Sequence, residues 1–191
     1  MKIVVKKGEI TEFRTEAAIV PCFEGGRELQ GKVKLLDKKS GGLIKEIIGA
    51  GDFEGKHLQI SVTYTGGIIP AKRIVLVGVG RKADLTMEKL RGAFAQAARH
   101  IRSLKLSEFS TSLDCIFSNR PLHEIAMAVV EGVSLGLYQY TSFKTIDRDK
   151  IRAIKEFTII EENEKAYNII RPAAKEAEII SCRSEERRVR K

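Results

Sequence analysis

The chain has no tryptophan, three cysteines, three histidines, four prolines and only 6% aromatic residues among 191. Each shortage removes a class of protein. Cys22, Cys115 and Cys182 stand far apart with no C-x-x-C spacing, and an odd number of cysteines argues against a disulfide framework. Cys22 and Cys115 lie in apolar runs and read as small buried hydrophobes. His57, His100 and His123 never pair at metal-ligand spacing, and no H-E-x-x-H accompanies them, so all three read as surface residues. No apolar run approaches the roughly 20 residues of a bilayer span. Residues 1–13 carry scattered charges where a secretory signal would be continuously apolar. The expectation is a cytoplasmic protein with no membrane partner.

What is present is the composition of a globular domain, with 43% hydrophobic and 31% charged residues and no low-complexity stretch. The length suits one α/β domain and a short appendage. The formal charge is +9, of which five basic less two acidic residues place +3 in residues 183–191 and leave +6 for the body. That balance is weak evidence for nucleic acid, because such charge governs non-specific association more than recognition.

Short β-branched runs at residues 2–6 (KIVVK) and 17–23 (AAIVPCF) predict two strands. Ser40, Gly41 and Gly42 then precede LIKEIIGAG, where Leu43, Ile44, Ile47 and Ile48 share a helical face and Gly49 and Gly51 supply a stop. Residues 57–64 alternate with period two, and residues 73–79 (RIVLVGV) form the longest apolar run, as for a central strand covered on both faces. Thr86 can cap a helix carrying Leu90, Phe94, Ala97, Ala98, Ile101 and Leu104 on one stripe. A strand over 110–117 follows, then a helix opened by Pro121 with Leu122, Ile125, Val129, Val133 and Leu137 on its apolar side, then a strand over 156–161. This alternation predicts a mixed sheet sandwiched by helices. From residue 162 a polar helix with Ala166, Ile169, Ile170, Ala173, Ala174, Ala177 and Ile180 near one face reads as a connector with nothing left to pack against, kinked at Pro172 unless the helix begins there.

Chemistry is sparse. VLVGVGRK (residues 75–82) sets Gly78 and Gly80 at a strand end before Arg81 and Lys82, where a phosphate could sit, but it is neither G-x-G-x-x-G nor G-x-x-x-x-G-K-[ST] and reads as a structural turn. Glu24, Gly25 and Gly26 form a second permissive loop of the same kind. Lys89, Arg91, Arg99, Arg102 and Lys105 on the long helix could track phosphates, yet without interleaved aromatics they read as a solvated face. Asp114 beside Cys115 is a tempting pair, but adjacent residues on a strand point to opposite faces, so the two do not share a site. There is no G-x-S-x-G elbow and no nucleophile with a base and orienter. No catalytic, cofactor-binding or metal-binding residue is assigned.

Several segments taken in order carry a resemblance: KIVVKKGEI, AAIVPCFEG, Leu35 to Asp37 before a Gly-bearing helix, DFEGK at residues 52–56, PAKRIVLVGVGRK, LTMEKLRGAFAQAAR, and AVVEGVSLGLYQYTSFKT at residues 128–145. Over residues 1–182 the chain resembles the N-terminal domain of the cytosolic leucyl aminopeptidases, the M17 metallopeptidase family. The resemblance implies a macro-domain-like sheet with flanking helices at residues 1–161 and a linker helix at 162–182. It also implies a parent enzyme that removes N-terminal amino acids with two divalent metals, zinc or manganese, held by Lys, Asp and Glu of a separate catalytic domain. The parent's partners would be that domain and its own copies in a homo-oligomer, a hexamer. None of the catalytic motifs occurs here, and residues 183–191 (RSEERRVRK) depart from the pattern, continue no element and read as foreign to the domain. The expectation is a fragment, inactive alone. The alternative is a free-standing macro-like module that binds a nucleotide such as ADP-ribose, or DNA.

Overall fold

The computed structural model describes residues 1–26, 29–116, 120–139 and 153–189, without the side chains of Cys115 and of residues 183–189. Strands β1 (Lys2–Lys7), β2 (Ala18–Phe23), β3 (Ile60–Tyr64), β4 (Arg73–Gly80), β5 (Glu108–Thr111) and β6 (Glu156–Glu161) make one sheet in the order β1-β6-β5-β2-β4-β3. The pairings are parallel except β3 on β4, so the sheet is mixed, with an antiparallel edge. Burial of β4 on both faces explains its unbroken apolar sequence. Val75, Val77 and Val79 enter one core and Ile74 and Leu76 the other.

Pro21 stands inside β2, a central strand, where a missing N–H would normally break a ladder. Here it costs nothing. The Ile19 carbonyl accepts from the Thr111 hydroxyl at 3.0 Å, so the backbone of residue 21, two on, faces the same side, where the β5 pairing has already ended at Thr111.

The larger core lies under α3 (Met87–Ser103), α4 (Leu122–Leu137) and α5 (Glu164–Val189), and the smaller under α1 (Gly31–Lys39) and α2 (Leu43–Gly49). Thr86 caps α3, its hydroxyl accepting from the Lys89 N–H at 3.2 Å. A Cβ added at Gly132 would lie 2.5 Å from the Arg91 carbonyl oxygen, and one at Gly136 2.6 Å from the Ala95 Cα, so α4 and α3 touch backbone to backbone. In the second core Asp37, nearly fully buried at the end of α1, accepts from the N–H groups of Ile44 and Lys45 at 2.9 and 3.0 Å. It satisfies the first turn of α2, which its own N-cap, Gly42, leaves without a side-chain bond.

Four expectations need correction. Residues 31–39 form a helix that the sequence did not single out, because its apolar positions are few and its first turn has Lys32 but no acid. The strand expected over 110–117 ends at Thr111 and turns into a short 3-10 helix, Leu113–Cys115, so the opposite-face argument for Asp114 and Cys115 lapses. The connector helix has partners after all. Ile170, Ala173, Ala174 and Ala177 are buried in the larger core, against α4 and β1. Finally, the backbone of residues 183–189 continues α5 rather than leaving it, and Pro172 sits inside that helix on its exposed side, where the lost bond faces water.

Candidate functional site

In parallel sheets the loops leaving the carboxyl ends of the strands shape the binding crevices. Here the end of β2 runs into Glu24, Gly25 and Gly26, and the end of β4 into Arg81 and Lys82. Above them residues 53–59 form a strap that precedes β3. Between the strap, the Glu24–Gly26 turn and the end of α2 lies a cleft of about 840 Å³, with Phe23, Ile48 and Phe53 in its wall and Glu24, Lys45 and Lys56 at its rim. A smaller hollow of about 230 Å³ on the other side of the turn is walled by Pro21, Leu29, Val33 and Lys82. A third, about 570 Å³, opens between α1 and the start of α4, with Lys32, Asp114 and Arg120 on its walls.

The backbone donors of the turn are committed within the protein. The Glu24 N–H donates to the Gly80 carbonyl at 3.0 Å, Gly25 to Glu54 at 3.3 Å and Gly26 to Phe23 at 3.3 Å. The strap presses on both strands. A Cβ at Gly78 would lie 1.9 Å from the Lys56 carbonyl oxygen, which makes Gly78 a requirement of close backbone approach. The amides of Gly25 and Gly80 thus donate to the strap, and Gly78 lies against its backbone. Arg81 pairs with Asp84 at 3.0 Å.

The remaining sequence candidates do not converge. His57 Nε2 lies 3.1 Å from the Lys89 carbonyl, and His123 Nε2 lies 3.3 Å from a Glu176 oxygen, far along the chain. On α3, Arg91 is paired with Glu131 at 2.5 Å and with Glu88 at 3.4 Å, and Arg102 donates to the Leu137 carbonyl at 3.1 Å. Two of the five basic residues thus tie α3 to α4 instead of facing a phosphate backbone. Cys22 is 8% exposed, and burial pushes its thiol up to about 12, which leaves it an inert core group. The Cys115 side chain lies outside the described residues. Cys182 is exposed on α5.

One group that the sequence did not flag is Glu161, at the end of β6. It is 0% exposed; its Oε1 accepts from the Asn163 N–H at 2.8 Å, and its Oε2 has no hydrogen-bond partner within 3.5 Å among the described residues. Burial raises its affinity for a proton, and the neighbouring Asp114 carboxylate adds to the shift. A strand-end glutamate in an EFTIIE run carries no local signal of this. Glu16 behaves oppositely. Its carboxylate accepts from the Ser107 N–H at 2.6 Å and hydroxyl at 3.0 Å, which hold its pKa below the ordinary range. Among the described residues no group of three or more His, Cys, Asp or Glu side chains that could hold a metal ion converges. Among the same residues no helix is long and apolar enough to cross a membrane.

Residues 19–147 match the family described as the cytosol aminopeptidase family, N-terminal domain. The chain is 33% identical over 184 residues to a probable cytosol aminopeptidase of Geobacter sp. (strain M21), an alignment that takes in 96% of this chain and 36% of the relative. It spans about a third of the length of the curated relatives it matches. In three dimensions it is similar to a tomato leucine aminopeptidase mutant, with a TM-score of 0.71 at 17% identity over 91% of this chain and 35% of that one. It is also similar to a Trypanosoma brucei macrodomain in complex with ADP, with a TM-score of 0.70 at 12% identity, over 90% of this chain and 68% of that one. The fold is macro-domain-like.

Proposed function

Because this chain belongs to the cytosol aminopeptidase family, as its N-terminal domain, we propose that its role is non-catalytic within a longer aminopeptidase. The observation that carries this is the lopsided match, 96% of this chain against 36% of the Geobacter relative. The metal-ligating and catalytic side chains belong to the remainder of such a parent, where two divalent ions, zinc or manganese, would activate water and polarise the scissile carbonyl. The 191 residues supply a rigid body that positions that catalytic domain, helps shape access to it, and contributes to a homo-oligomer, a hexamer, in the cytosol. In domain terms, residues 1–161 are the macro-like body and 162–182 the linker helix toward the catalytic part, with residues 183–191 foreign to the family pattern.

The test is direct. The purified chain, supplied with Mn²⁺ or Zn²⁺, should release no leucine from Leu-p-nitroanilide above a metal-only blank. Metal-dependent turnover by the chain alone refutes the reading.

A second reading, a nucleotide or DNA module, draws support from the likeness to a macrodomain solved with ADP. Two observations weigh against it: the turn amides are already donated, and Arg91 and Arg102 are tied within the domain. Calorimetric titration with ADP-ribose and a salt-dependent DNA shift assay separate the two. Saturable binding in either favours the module.

A further inference from the structure

We propose that residues 53–59 are a built-in plug of the crevice at the carboxyl end of β2 and β4, latched by the Gln59 side chain and standing where a bound anion would stand. This goes beyond the aminopeptidase reading and does not depend on it.

Backbone N–H groups at adjoining strand ends are natural anion donors, since they converge and bear partial positive charge. In this chain the pair is Gly25 at the end of β2 and Gly80 at the end of β4. Their acceptors are two consecutive carbonyls of the strap: Gly25 donates to Glu54 at 3.3 Å and Gly80 to Gly55 at 3.0 Å. The strap thus presents two neighbouring oxygens to two neighbouring amides, as an oxyanion would. No ligand fits beneath it. A Cβ at Gly55 would lie 2.4 Å from the Phe23 carbonyl oxygen, and one at Gly78 1.9 Å from that of Lys56, so strap and strands are in backbone contact. The 840 Å³ cleft lies beside the plug.

The far end of the strap is fixed to β4, where the Leu58 N–H donates to the Gly78 carbonyl at 3.0 Å and the Gly78 N–H to the Gln59 carbonyl at 2.8 Å, so the part free to lift is residues 54–57. Phe53, 1% exposed, is its apolar anchor in the smaller core, whereas Glu54, Lys56, His57 and Leu58 are exposed. Leu58 bears a left-handed backbone, φ 68°, which a branched side chain adopts at a cost. Gln59 compensates. Its Oε1 accepts from the N–H groups of Glu54 at 3.0 Å and Lys56 at 3.3 Å, and its Nε2 donates to the Asp52 carbonyl at 3.3 Å. A single side chain therefore organises the backbone groups that flank both plugging carbonyls. Exposed loops open at free energies well below global unfolding, so the Gln59 latch, which bonds only within residues 52–56, decides how often residues 54–57 lift from Gly25 and Gly80.

The experiment is residue-resolved amide exchange by NMR on the 191-residue chain and on Gln59→Ala, with inorganic pyrophosphate titrated into the unaltered chain. The expected result is that Gly25 and Gly80 are protected in the unaltered chain and unmoved by millimolar pyrophosphate. In Gln59→Ala they should exchange at least about tenfold faster, while Val75 and Val77 in β4 keep their protection. Saturable pyrophosphate shifts at Gly25 and Gly80 in the unaltered chain, or protection unchanged in Gln59→Ala, would overturn the proposal. Should Gln59→Ala expose the core amides too, Gln59→Glu decides, because it keeps the acceptor for Glu54 and Lys56. Gly25 protection retained there supports the latch, and protection lost with the core intact overturns it.

Discussion

The two faces of the sheet are built on different terms. On the face of α3, α4 and α5, α4 meets α3 backbone on backbone at Gly132 and Gly136, and buried alanines line the core beside them. Under α1 and α2 the core is smaller, and its geometry is set by polar devices: the Asp37 carboxylate bridging two helices and the Gln59 amide organising a strap. The first face is organised by shape and the second by hydrogen-bond valence. A scaffold for a neighbouring domain benefits from the first, while the second leaves a sheet end that can change without disturbing the core.

The sharpest way to break this contrast is to put a side chain into the helix contact. Gly132→Val drives its Cβ toward the Arg91 carbonyl and should cost about 3 kcal/mol, read as a lower urea midpoint. Removing a polar device from the other face should do less. Asp37→Ala leaves the first turn of α2 without its acceptor and should cost about 2 kcal/mol, with Asp37→Asn recovering part of it. Thr86→Ala, a cap on the shape-built face, should cost about 1 kcal/mol, because α3 is already held by its apolar stripe. If Thr86 outweighed Asp37, the contrast drawn here would be wrong.

Two carboxyls sharpen it through pH. Glu161 keeps its proton to higher pH folded than unfolded, so the stability it lends is complete below the ordinary carboxylate value and is lost as pH rises through the raised one. Glu161→Gln, neutral throughout, should flatten that slope in thermal midpoints measured from acid to neutral pH. Glu16, whose pKa is lowered, lends stability that is present above the ordinary value and lost as pH falls through the depressed one. Glu16→Gln should remove that acid-side slope, the smallest of these effects, since Glu16 is partly solvated.

Most of the frame was legible in advance because it rests on local signals. The unbroken RIVLVGV run and the Thr86-capped stripe each announce an element through propensity or period, whereas the alternation of residues 57–64 overstates its strand, which is Ile60–Tyr64 because Leu58 turns left-handed at φ 68°. The elements misread are those whose form depends on distant partners. Residues 31–39 have too weak a stripe to declare a helix, and it is the burial of Val33 and Leu36 in the smaller core that holds one there. The strand at 108–111 ends early because the chain turns beside α1 and β6, which no residue of STSLDCIF signals. The α5 stripe is apolar in the sequence, but its partners, α4 and β1, lie earlier in the chain and leave no local mark on it. The sheet-end site was half visible. Its glycines stood out, but what occupies the space above Gly78 did not.

By itself the amino-acid sequence determined the class of fold and the identity of most elements, because hydrophobic period, caps and turn residues act over a few neighbours. The ordered family segments reached the same domain from another direction. Only the tertiary structure decided which buried groups matter: that Glu161 is sealed from water beside Asp114, that Gly25 and Gly80 spend their amides on Glu54 and Gly55, and that α5 closes the larger core. The physical reason is common to all three. Desolvation, hydrogen-bond partnership and close packing are properties of what surrounds a group, and here those surroundings come from segments distant in the chain.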